Sequence, residues 1–253
     1  MKRLFERLHQ GHRTIAWPAQ PVTLHSRYRG LPKIDASACQ ANCSACADAC
    51  PTGAISLSPP RIDLGKCLFC PVCTEACPTQ AIAFSNDFRL ATTTRAGLAT
   101  NGNDFQLAQA MAEKLRKLLG RSLKLRQVSA GGCNACEADL NVASNVLVFD
   151  LARFGVQFVA SPRHADGIVV TGPVTRNMES ALRDTYAAVP SPKVVIAFGA
   201  CAISGGPFAG SPECRNGIPS DIPVDLFLPG CPPHPMVFLD GVLRLLGRLP
   251  KGM

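Results

Sequence analysis

The chain of 253 residues is 47% hydrophobic and 17% charged, which excludes a disordered protein and is enough for one large or two modest globular domains. Its apolar runs are too short to cross a bilayer, and its N-terminus lacks the apolar segment of a secretory signal, so we expect a cytoplasmic chain. The net charge of +8 alone does not indicate nucleic-acid binding, because such a module would also place aromatic residues among the basic ones, and the chain has one Trp and two Tyr.

Thirteen cysteines are the most informative feature of the composition. A cytoplasmic chain keeps its thiols reduced, so the cysteines predict metal ligation rather than a disulfide framework. The odd number is consistent with three sets of four ligands and one cysteine left over. Three iron–sulfur cubanes would add a charge of roughly 6−. The loaded protein would then be near neutral apart from its N-terminus, which further argues against a nucleic-acid partner.

Residues 1–34 form a basic arm with seven Lys or Arg and one acidic residue. Leu4, Phe5 and Leu8 fall on one face at helical spacing, and prolines prevent a long helix beyond about Trp17. Two interpretations remain open. The arm is either solvated, or it is a short amphipathic anchor on a membrane subunit or on the bilayer surface.

Residues 35–90 contain an internal repeat whose two halves lie 27 positions apart. Each half predicts a cysteine loop, a short helical turn, a Pro and a brief strand, with the strands at 55–57 and 82–84. A segment of this size is too small for a hydrophobic core, so another interaction must hold it together. The recurring residues are Cys43, Cys46, Cys50, Pro51, Thr52, Ala54 and Ile55, which return as Cys70, Cys73, Cys77, Pro78, Thr79, Ala81 and Ile82.

The second half of the repeat has the cysteine spacing of bacterial ferredoxins, in which the fourth cysteine binds the neighbouring cluster. The first half has one extra residue between Cys39 and Cys43; we expect a complete cubane there, with a labile or three-iron cluster as the alternative. Zinc, the simpler metal, would not need two interleaved quartets. The crossed rule assigns Cys39, Cys43, Cys46 and Cys77 to cluster 1, and Cys50, Cys67, Cys70 and Cys73 to cluster 2.

Residues 91–120 are predicted to be a linker that contains a packing helix. Asn103 or Asp104 is a suitable cap for a helix that runs to about Leu119, and apolar residues recur along one face of that helix. We expect this segment to connect two domains rather than to carry chemistry.

Residues 121–253 change to an alternation of strands and helices. That order predicts a flavodoxin-like α/β domain with a doubly wound parallel sheet, in which ligands bind beyond the carboxyl ends of the strands. The predicted strands are Leu123–Val128, Val156–Ala160, Ile168–Thr171, Val194–Phe198 and Val224–Leu228. The predicted helices are about Cys136–Phe149, Thr175–Val189 and Pro235–Leu249.

Four of the five remaining cysteines follow predicted strands. Cys133 and Cys136 lie in the loop after the first strand, Cys201 follows the fourth strand, and Cys231 follows the fifth. Gly and Pro around each cysteine allow the backbone to approach an inorganic cluster closely. We therefore predict a third cluster on these four thiolates. Buried structural cysteines are the simpler alternative, which explains one such loop more easily than three.

The other candidate residues have weaker signals. Cys214 has no partner left and is interpreted as a spare thiol. Glu137 directly follows Cys136 and is either a proton relay near the cluster or an ordinary carboxylate at the surface or at a helix start. His164 and His234 are interpreted as structural or interface residues. The sequence contains no dinucleotide fingerprint, phosphate-binding loop or Ser/His/Asp arrangement.

Two parts of the chain resemble known families. Tyr28-Arg29-Gly30 and the doubled cysteine run, within about residues 1–90, resemble the two-cluster ferredoxin subunit of respiratory complex I and of formate hydrogenlyase. Residues 121–249 are similar to the small subunit of NiFe hydrogenases and to its complex I relative, the 20 kDa subunit. The motifs that carry the second resemblance are Gly132–Glu137, Phe154-Gly155, Ser161–Asp166, Gly199–Gly206 and Pro229–Pro233.

The spacing of Cys133 and Cys136 distinguishes these two relatives, because the complex I subunit has two adjacent cysteines at this point. The hydrogenase spacing, the absence of a twin-arginine signal and the fusion of both parts in one chain resemble the membrane-bound, energy-converting hydrogenases. This resemblance implies an oxidoreductase subunit with three 4Fe-4S clusters that relays electrons to or from the Ni–Fe site of a partner large subunit. Glu137 is its one candidate proton relay.

The implied partners are a hydrogenase large subunit similar to the 49 kDa subunit of complex I, integral membrane subunits and an electron-donor protein, with no nucleic acid. The implied location is peripheral, on the cytoplasmic face of the inner membrane. Three alternatives remain open: the equivalent subunit of a complex I-like NADH or quinone oxidoreductase without nickel, a zinc-stabilised binding module, and a free-standing ferredoxin fused to a structural domain.

Overall fold

The computed structural model describes residues 2–11, 13–40, 42–119 and 121–249. Its first element is helix α1 (Lys2–Gln10), as the spacing of the apolar residues predicts. Two small antiparallel sheets follow in the first half of the chain and one five-stranded parallel sheet in the second. None of the helices in these residues is both long and apolar enough to cross a membrane.

The cysteine repeat lies among short antiparallel strands. Strand β1 (Pro32–Ile34) pairs with β4 (Ile82–Phe84). Strand β3 (Pro60–Asp63) pairs with β2 (Ile55–Leu57) on one side and with β5 (Ala99–Thr100) on the other. The predicted arm and the predicted linker therefore each supply a strand to this region.

Two short helices complete the repeat. Helix α2 (Ala45–Asp48) and helix α3 (Val72–Ala76) occupy equivalent positions in the two halves. Together with β2 and β4 they confirm the predicted unit of a cysteine loop, a helical turn and a strand.

The linker helix is shorter than predicted. Helix α4 spans only Glu113–Leu119, and the predicted start at Asn103 or Asp104 is wrong. Asp104 instead accepts hydrogen bonds from the hydroxyl of Thr100 at 2.7 Å and from the amide of Asn101 at 3.1 Å. These bonds close the turn after β5, so Asp104 is not free to cap a helix.

Tertiary hydrogen bonds hold the segment between that turn and α4 in a non-helical path. The amide of Ala108 donates to the carbonyl of Ala91 at 2.8 Å, and the amide of Met111 donates to the carbonyl of Leu245 at 2.9 Å. Partners from distant parts of the chain thus replace the carbonyls that a helix would supply.

The second half contains all five predicted strands, with ends within two residues of the prediction. They are β6 (Leu123–Ser129), β7 (Val156–Phe158), β8 (Gly167–Thr171), β9 (Val194–Phe198) and β10 (Leu226–Leu228). Every pair is parallel, and the order β10-β9-β8-β6-β7 is the flavodoxin-like order, which confirms the predicted fold class. All residues of β8 and β9 are buried, as expected for central strands covered on both faces.

Four helices follow strands of this sheet. They are α5 (Ala135–Ser144), α6 (Arg176–Ala188), α7 (Ala200–Ser204) and α8 (Pro235–Leu245). The predicted helix ends at Phe149 and Leu249 are too late for α5 and α8. Asn145 ends α5 in a turn, because its carbonyl accepts from the amide of Asp150 at 2.9 Å and its side chain accepts from the amide of Leu147 at 2.8 Å.

Both halves of the chain share one hydrophobic core. Leu64 and Leu98, from the cysteine-repeat half, belong to the same buried cluster as Leu228 and Phe238, from the sheet half. A continuous core means that the two halves hold a fixed position relative to each other.

Polar contacts reinforce this position at two points. Thr92 and Phe227 exchange two backbone hydrogen bonds, with N···O distances of 2.8 and 3.2 Å, so the connecting segment covers β10 at the edge of the sheet. The hydroxyl of Ser204 on α7 donates to the carbonyl of Gly65 at 2.8 Å. Gly65 lies two residues before Cys67, and the contact therefore joins the cysteine-repeat loop to the helix that carries Cys201.

We expect Leu98→Ala to lower the free energy of unfolding by about 2–5 kcal/mol, because it opens a cavity in the core shared by the two halves. Leu118→Ala, at an exposed position of α4, is the matched control and should change it by no more than about 0.5 kcal/mol. Anaerobic urea unfolding measures both values. Equal effects of the two substitutions would contradict a shared core.

Candidate metal centres

The four thiols assigned to cluster 1 surround one cavity. Cys39, Cys43, Cys46 and Cys77 all line a space of about 460 Å³. Burial, together with the negative charge of Cys77 and Cys43, raises the pKa of Cys46. The extra residue in the first loop therefore does not remove Cys39 from the set, although Cys39 remains exposed at the rim.

The four thiols assigned to cluster 2 line a second, smaller cavity, which is formed by Cys50, Cys67, Cys70 and Cys73. Burial raises the pKa of Cys67 to about 12 and that of Cys73 to about 11, and the charges of Cys50 and Cys70 add to both shifts. Cys73 also lies close enough to Cys46 to feel its charge, and Ile55 lines both cavities. The two sets are therefore neighbours.

The repeat places the same hydrogen bonds on the crossing cysteine of each half. The amide of Ala54 donates to Sγ of Cys50 at 3.3 Å, and the amide of Ala81 donates to Sγ of Cys77 at 3.2 Å. Each sulfur also lies near a threonine hydroxyl two residues later, at 3.8 Å for Cys50 and 3.7 Å for Cys77. Burial alone raises the pKa of Cys77, but these bonds lower it overall. At Cys77 this arrangement favours a thiolate, the form that binds iron.

The third set lies beyond the carboxyl ends of the parallel strands. Cys133 lies in the loop after β6, and Cys136 lies in the first turn of α5. Cys201 lies in the first turn of α7, and Cys231 lies in the loop after β10. These four thiols meet at this end of the sheet. Burial raises the pKa of Cys136, and the charges of Cys201, Glu137, Cys231 and Cys133 raise it further. Burial, Cys231 and Cys133 raise the pKa of Cys201 to about 12. Each thiol thus lies within electrostatic reach of the others.

Two glycines lie so close to sulfur atoms of this set that a larger residue would contact them. Gly199 has a φ of +94°, and a Cβ atom built on it would lie 2.7 Å from Sγ of Cys136. Gly206 has a φ of +52°, and its Cβ would lie 3.0 Å from Sγ of Cys201. Both positions therefore require glycine for conformation and for space, as the Gly-rich loops of the sequence predict.

Glu137 lies in the interior, in the first turn of α5, which excludes the surface position that the sequence left open. Its Oε1 accepts hydrogen bonds from the hydroxyls of Ser129 and Thr171, both at 2.6 Å. Its Oε2 is buried and has no hydrogen-bond partner within the part of the chain that the structure describes. Burial raises the pKa of Glu137, but the two hydroxyls and its own backbone amide lower it overall, so the carboxylate is charged at neutral pH.

Ser129 and Thr171 belong to no motif of the sequence and are not among the predicted site residues. Each is the last residue of its strand, and β6 and β8 are adjacent only because β7 lies on the outer side of β6. Their position at the ends of predicted strands could have identified them as candidates. That both side chains reach the same carboxylate follows only from the order of the strands in the sheet.

A short segment of the arm lies between the second and third sets. Arg29 Nε donates to the carbonyl of Phe69 at 2.5 Å, and Phe69 has a left-handed φ of +55° between Cys67 and Cys70. The same segment lines a cleft that also contains Cys231. Burial and the charges of Cys133 and Cys70 raise the pKa of Cys231, so the second and third sets approach each other at Cys70 and Cys231.

The remaining candidates have structural roles or no assigned role. Nδ1 of His234 accepts from the amide of Met236 at 3.1 Å and so caps α8, in agreement with a structural histidine. Cys214 lies near Cys201. Its backbone pairs with that of Thr175 in an isolated antiparallel β-bridge. All thirteen cysteines are free thiols.

The three sets fit cubanes in donor type and number. In the described residues, no group of three or more His, Cys, Asp or Glu side chains is arranged around a single metal ion. In a cubane each of the four iron atoms is bound by a different thiolate. The four sulfur atoms therefore do not need to converge on one point.

Two family models match the chain. Residues 133–245, which include the third set, match the NADH ubiquinone oxidoreductase 20 kDa subunit. Residues 38–81, which include the first two sets, match the 4Fe-4S dicluster domain. These two matches confirm the two family resemblances that the sequence motifs indicate.

The chain is also similar to curated relatives. It is 41% identical to a probable membrane-bound hydrogenase subunit of Pyrococcus furiosus, over 60% of this chain and 90% of the relative. It is 41% identical to formate hydrogenlyase subunit 7 of Escherichia coli, over 55% of this chain and 54% of the relative, and thus spans about half of that protein. It is 45% identical to a subunit of the NADH-quinone oxidoreductase of Heliobacterium modesticaldum, over 46% of this chain and 66% of the relative.

One solved structure is similar at lower identity. It is a chain of the membrane-bound sulfane sulfur reductase, an archaeal respiratory membrane complex, with a TM-score of 0.47 and 29% identity over 56% of this chain and 78% of that chain.

Gly199→Ala should remove the third cluster and leave the other two, because its methyl group would occupy space needed at Sγ of Cys136. Gly210→Ala is the matched control, since Gly210 has a similar φ of +82° but no atom within 4 Å of the point that an added methyl group would occupy. Iron and sulfide analysis should show a loss of about four of each only for Gly199→Ala. An equal loss in both variants would attribute the effect to backbone strain.

Proposed function

Because the chain belongs to the family of the NADH ubiquinone oxidoreductase 20 kDa subunit, here joined to a 4Fe-4S dicluster domain, we propose that it relays electrons through three 4Fe-4S clusters to or from the Ni–Fe site of a partner large subunit. Membership of these families makes the chain an iron–sulfur electron-transfer subunit of an oxidoreductase. The number of clusters and the nature of the partner belong to the proposal.

The observation that supports this function is the continuity of the three thiol sets. Cys46 of the first set lies near Cys73 of the second, and Cys70 of the second lies near Cys231 of the third. Neighbouring clusters at these points form one route for electrons through the chain. Cys39 of the first set and Cys133 of the third set are exposed, so clusters at the two ends of the route would be accessible to other proteins.

The clusters would supply one-electron redox chemistry when bound. The residues of the chain hold them and adjust their potentials. The hydrogen bonds to the sulfurs of Cys50 and Cys77 stabilise negative charge and so favour reduction at the first two sites. The charged Glu137 beside Cys136 has the opposite effect on the third site.

The spacing of Cys133 and Cys136 supports a hydrogenase-type partner that contains nickel. Two of the relatives carry hydrogenase or formate hydrogenlyase names, and the first is described as membrane-bound. The proposed complex therefore contains a large subunit, integral membrane subunits and an electron-donor protein. The chain would lie peripherally on the cytoplasmic face of the inner membrane.

The second candidate function is the equivalent subunit of a complex I-like NADH or quinone oxidoreductase without nickel. The 45% identity to an NADH-quinone oxidoreductase subunit favours it. Metal analysis of the anaerobically isolated complex distinguishes the two. We expect nickel in an amount equal to this chain, and a complex with iron but no nickel would favour the alternative.

Anaerobically purified chain should contain about twelve iron and twelve sulfide. Cys201→Ser should lose about four of each and leave the EPR signals of the two ferredoxin clusters, because it removes a ligand of the third set only. Cys214→Ser is the matched control and should lose none, since Cys214 belongs to no set.

Other contents would contradict the proposal. About eight iron in the unsubstituted chain would remove the third cluster and with it the hydrogenase-type function. Zinc in place of iron would favour the binding module. Loss of all clusters in Cys201→Ser would indicate general misfolding rather than the loss of one site.

A further inference from the structure

Helix α1 and the turn after α5 both expose apolar side chains, and the arm that follows α1 contacts this turn at Ile15. Leu4, Phe5 and Leu8 of helix α1 are at least two-thirds exposed, at 67%, 67% and 74%. Val146 and Leu147, in the turn after α5, are exposed at 67% and 63%. Apolar side chains scattered singly over a surface are ordinary, but two adjoining apolar elements indicate an interaction surface.

From this juxtaposition we propose that α1 and the turn 145–150, here called the anchor surface, bind an anionic lipid bilayer. The inference deepens the peripheral membrane location proposed above and rests on it. It adds that this chain contacts lipid directly, through named side chains, and that the headgroups are negatively charged.

The arm is fixed to the turn at a defined point. The amide of Ile15 donates to the carbonyl of Val148 at 2.9 Å, and the guanidinium of Arg153 donates to the carbonyl of Ile15 at 2.7 Å. Helix α1 ends at Gln10, only a few positions before Ile15. An extended chain of that length spans at most about 18 Å, so the end of α1 cannot lie far from the turn.

The turn faces away from the proposed clusters. It connects α5 to β7 and so lies at the amino end of a parallel strand, whereas the third thiol set lies at the carboxyl ends. Hydrogen bonds to Asn145 hold the turn in shape, so its apolar side chains remain exposed rather than folding into a longer α5. Contact of this surface with a bilayer would therefore leave the proposed electron route free.

The positive charge around helix α1 favours an anionic lipid bilayer as the partner of the anchor surface. Positions 1–13 carry four Lys or Arg and one acidic residue. A basic helix with a short apolar face is typical of segments that lie in the headgroup region of an anionic membrane. A purely protein contact of the same apolar area would not require this excess of positive charge.

Flotation of the holo-protein with lipid vesicles tests the proposal. We expect binding to vesicles of phosphatidylcholine with phosphatidylglycerol, weak binding to phosphatidylcholine alone, and loss of binding at high salt. Phe5→Glu and Leu147→Glu should each weaken binding roughly tenfold or more, because each places a charge where an apolar side chain enters the membrane.

Phe208→Glu is the matched control, because it introduces the same charge at an exposed aromatic residue that follows the carboxyl end of β9, away from the anchor surface. It should bind like the unsubstituted protein. Iron and sulfide content of each preparation separates failure of the lipid contact from failure of the proposed electron relay.

Equal binding by all three variants, or equal binding to neutral and anionic vesicles, would overturn the proposal. Absence of vesicle binding, combined with loss of assembly with membrane subunits in Phe5→Glu and Leu147→Glu, would also overturn it. That result would assign the anchor surface to a protein partner.

Discussion

The structure depends on bringing four sulfur atoms together at each of three places without a bond between them. Burial and mutual repulsion raise the pKa of Cys67, Cys73, Cys136 and Cys201, so without iron these four thiols stay protonated. Binding of a positively charged iron core removes both penalties at once, and it requires the loss of protons. The buried apolar residues of the cysteine-repeat half belong to the core that it shares with the sheet half, and we expect its cysteine loops to depend on iron for their folded form.

The shared core is the second constraint, because electron transfer between clusters needs short and constant separations. A flexible linker would make the encounter of two tethered domains intramolecular but variable in geometry. Here Leu98 packs in the core of the sheet half, and Ser204 on α7 contacts the loop that leads to Cys67. The approach of Cys70 to Cys231 is thus set by side-chain packing rather than by the length of a tether.

Much of this arrangement could be predicted from the sequence, and the parts that could not have a common physical cause. Cysteine spacing indicated the thiol sets, and short apolar runs indicated the five parallel strands, because both signals are local. The start of α4 was predicted wrongly because Asp104 bonds to Thr100 and the amides of Ala108 and Met111 find partners far along the chain. The environment of Glu137 could not be predicted for the same reason, since Ser129 and Thr171 meet only through the strand order.

The bridge between Thr92 and Phe227 has a consequence for assembly in the cell. Strand β10 is the outermost strand on one side of an open sheet. An uncovered edge strand exposes backbone N–H and C=O groups that can pair with a second copy of the chain. The residue that seals this edge belongs to the connection from the cysteine-repeat half. A chain whose cysteine-repeat half has not folded therefore leaves β10 uncovered, and we expect such a chain to associate with other copies through this strand.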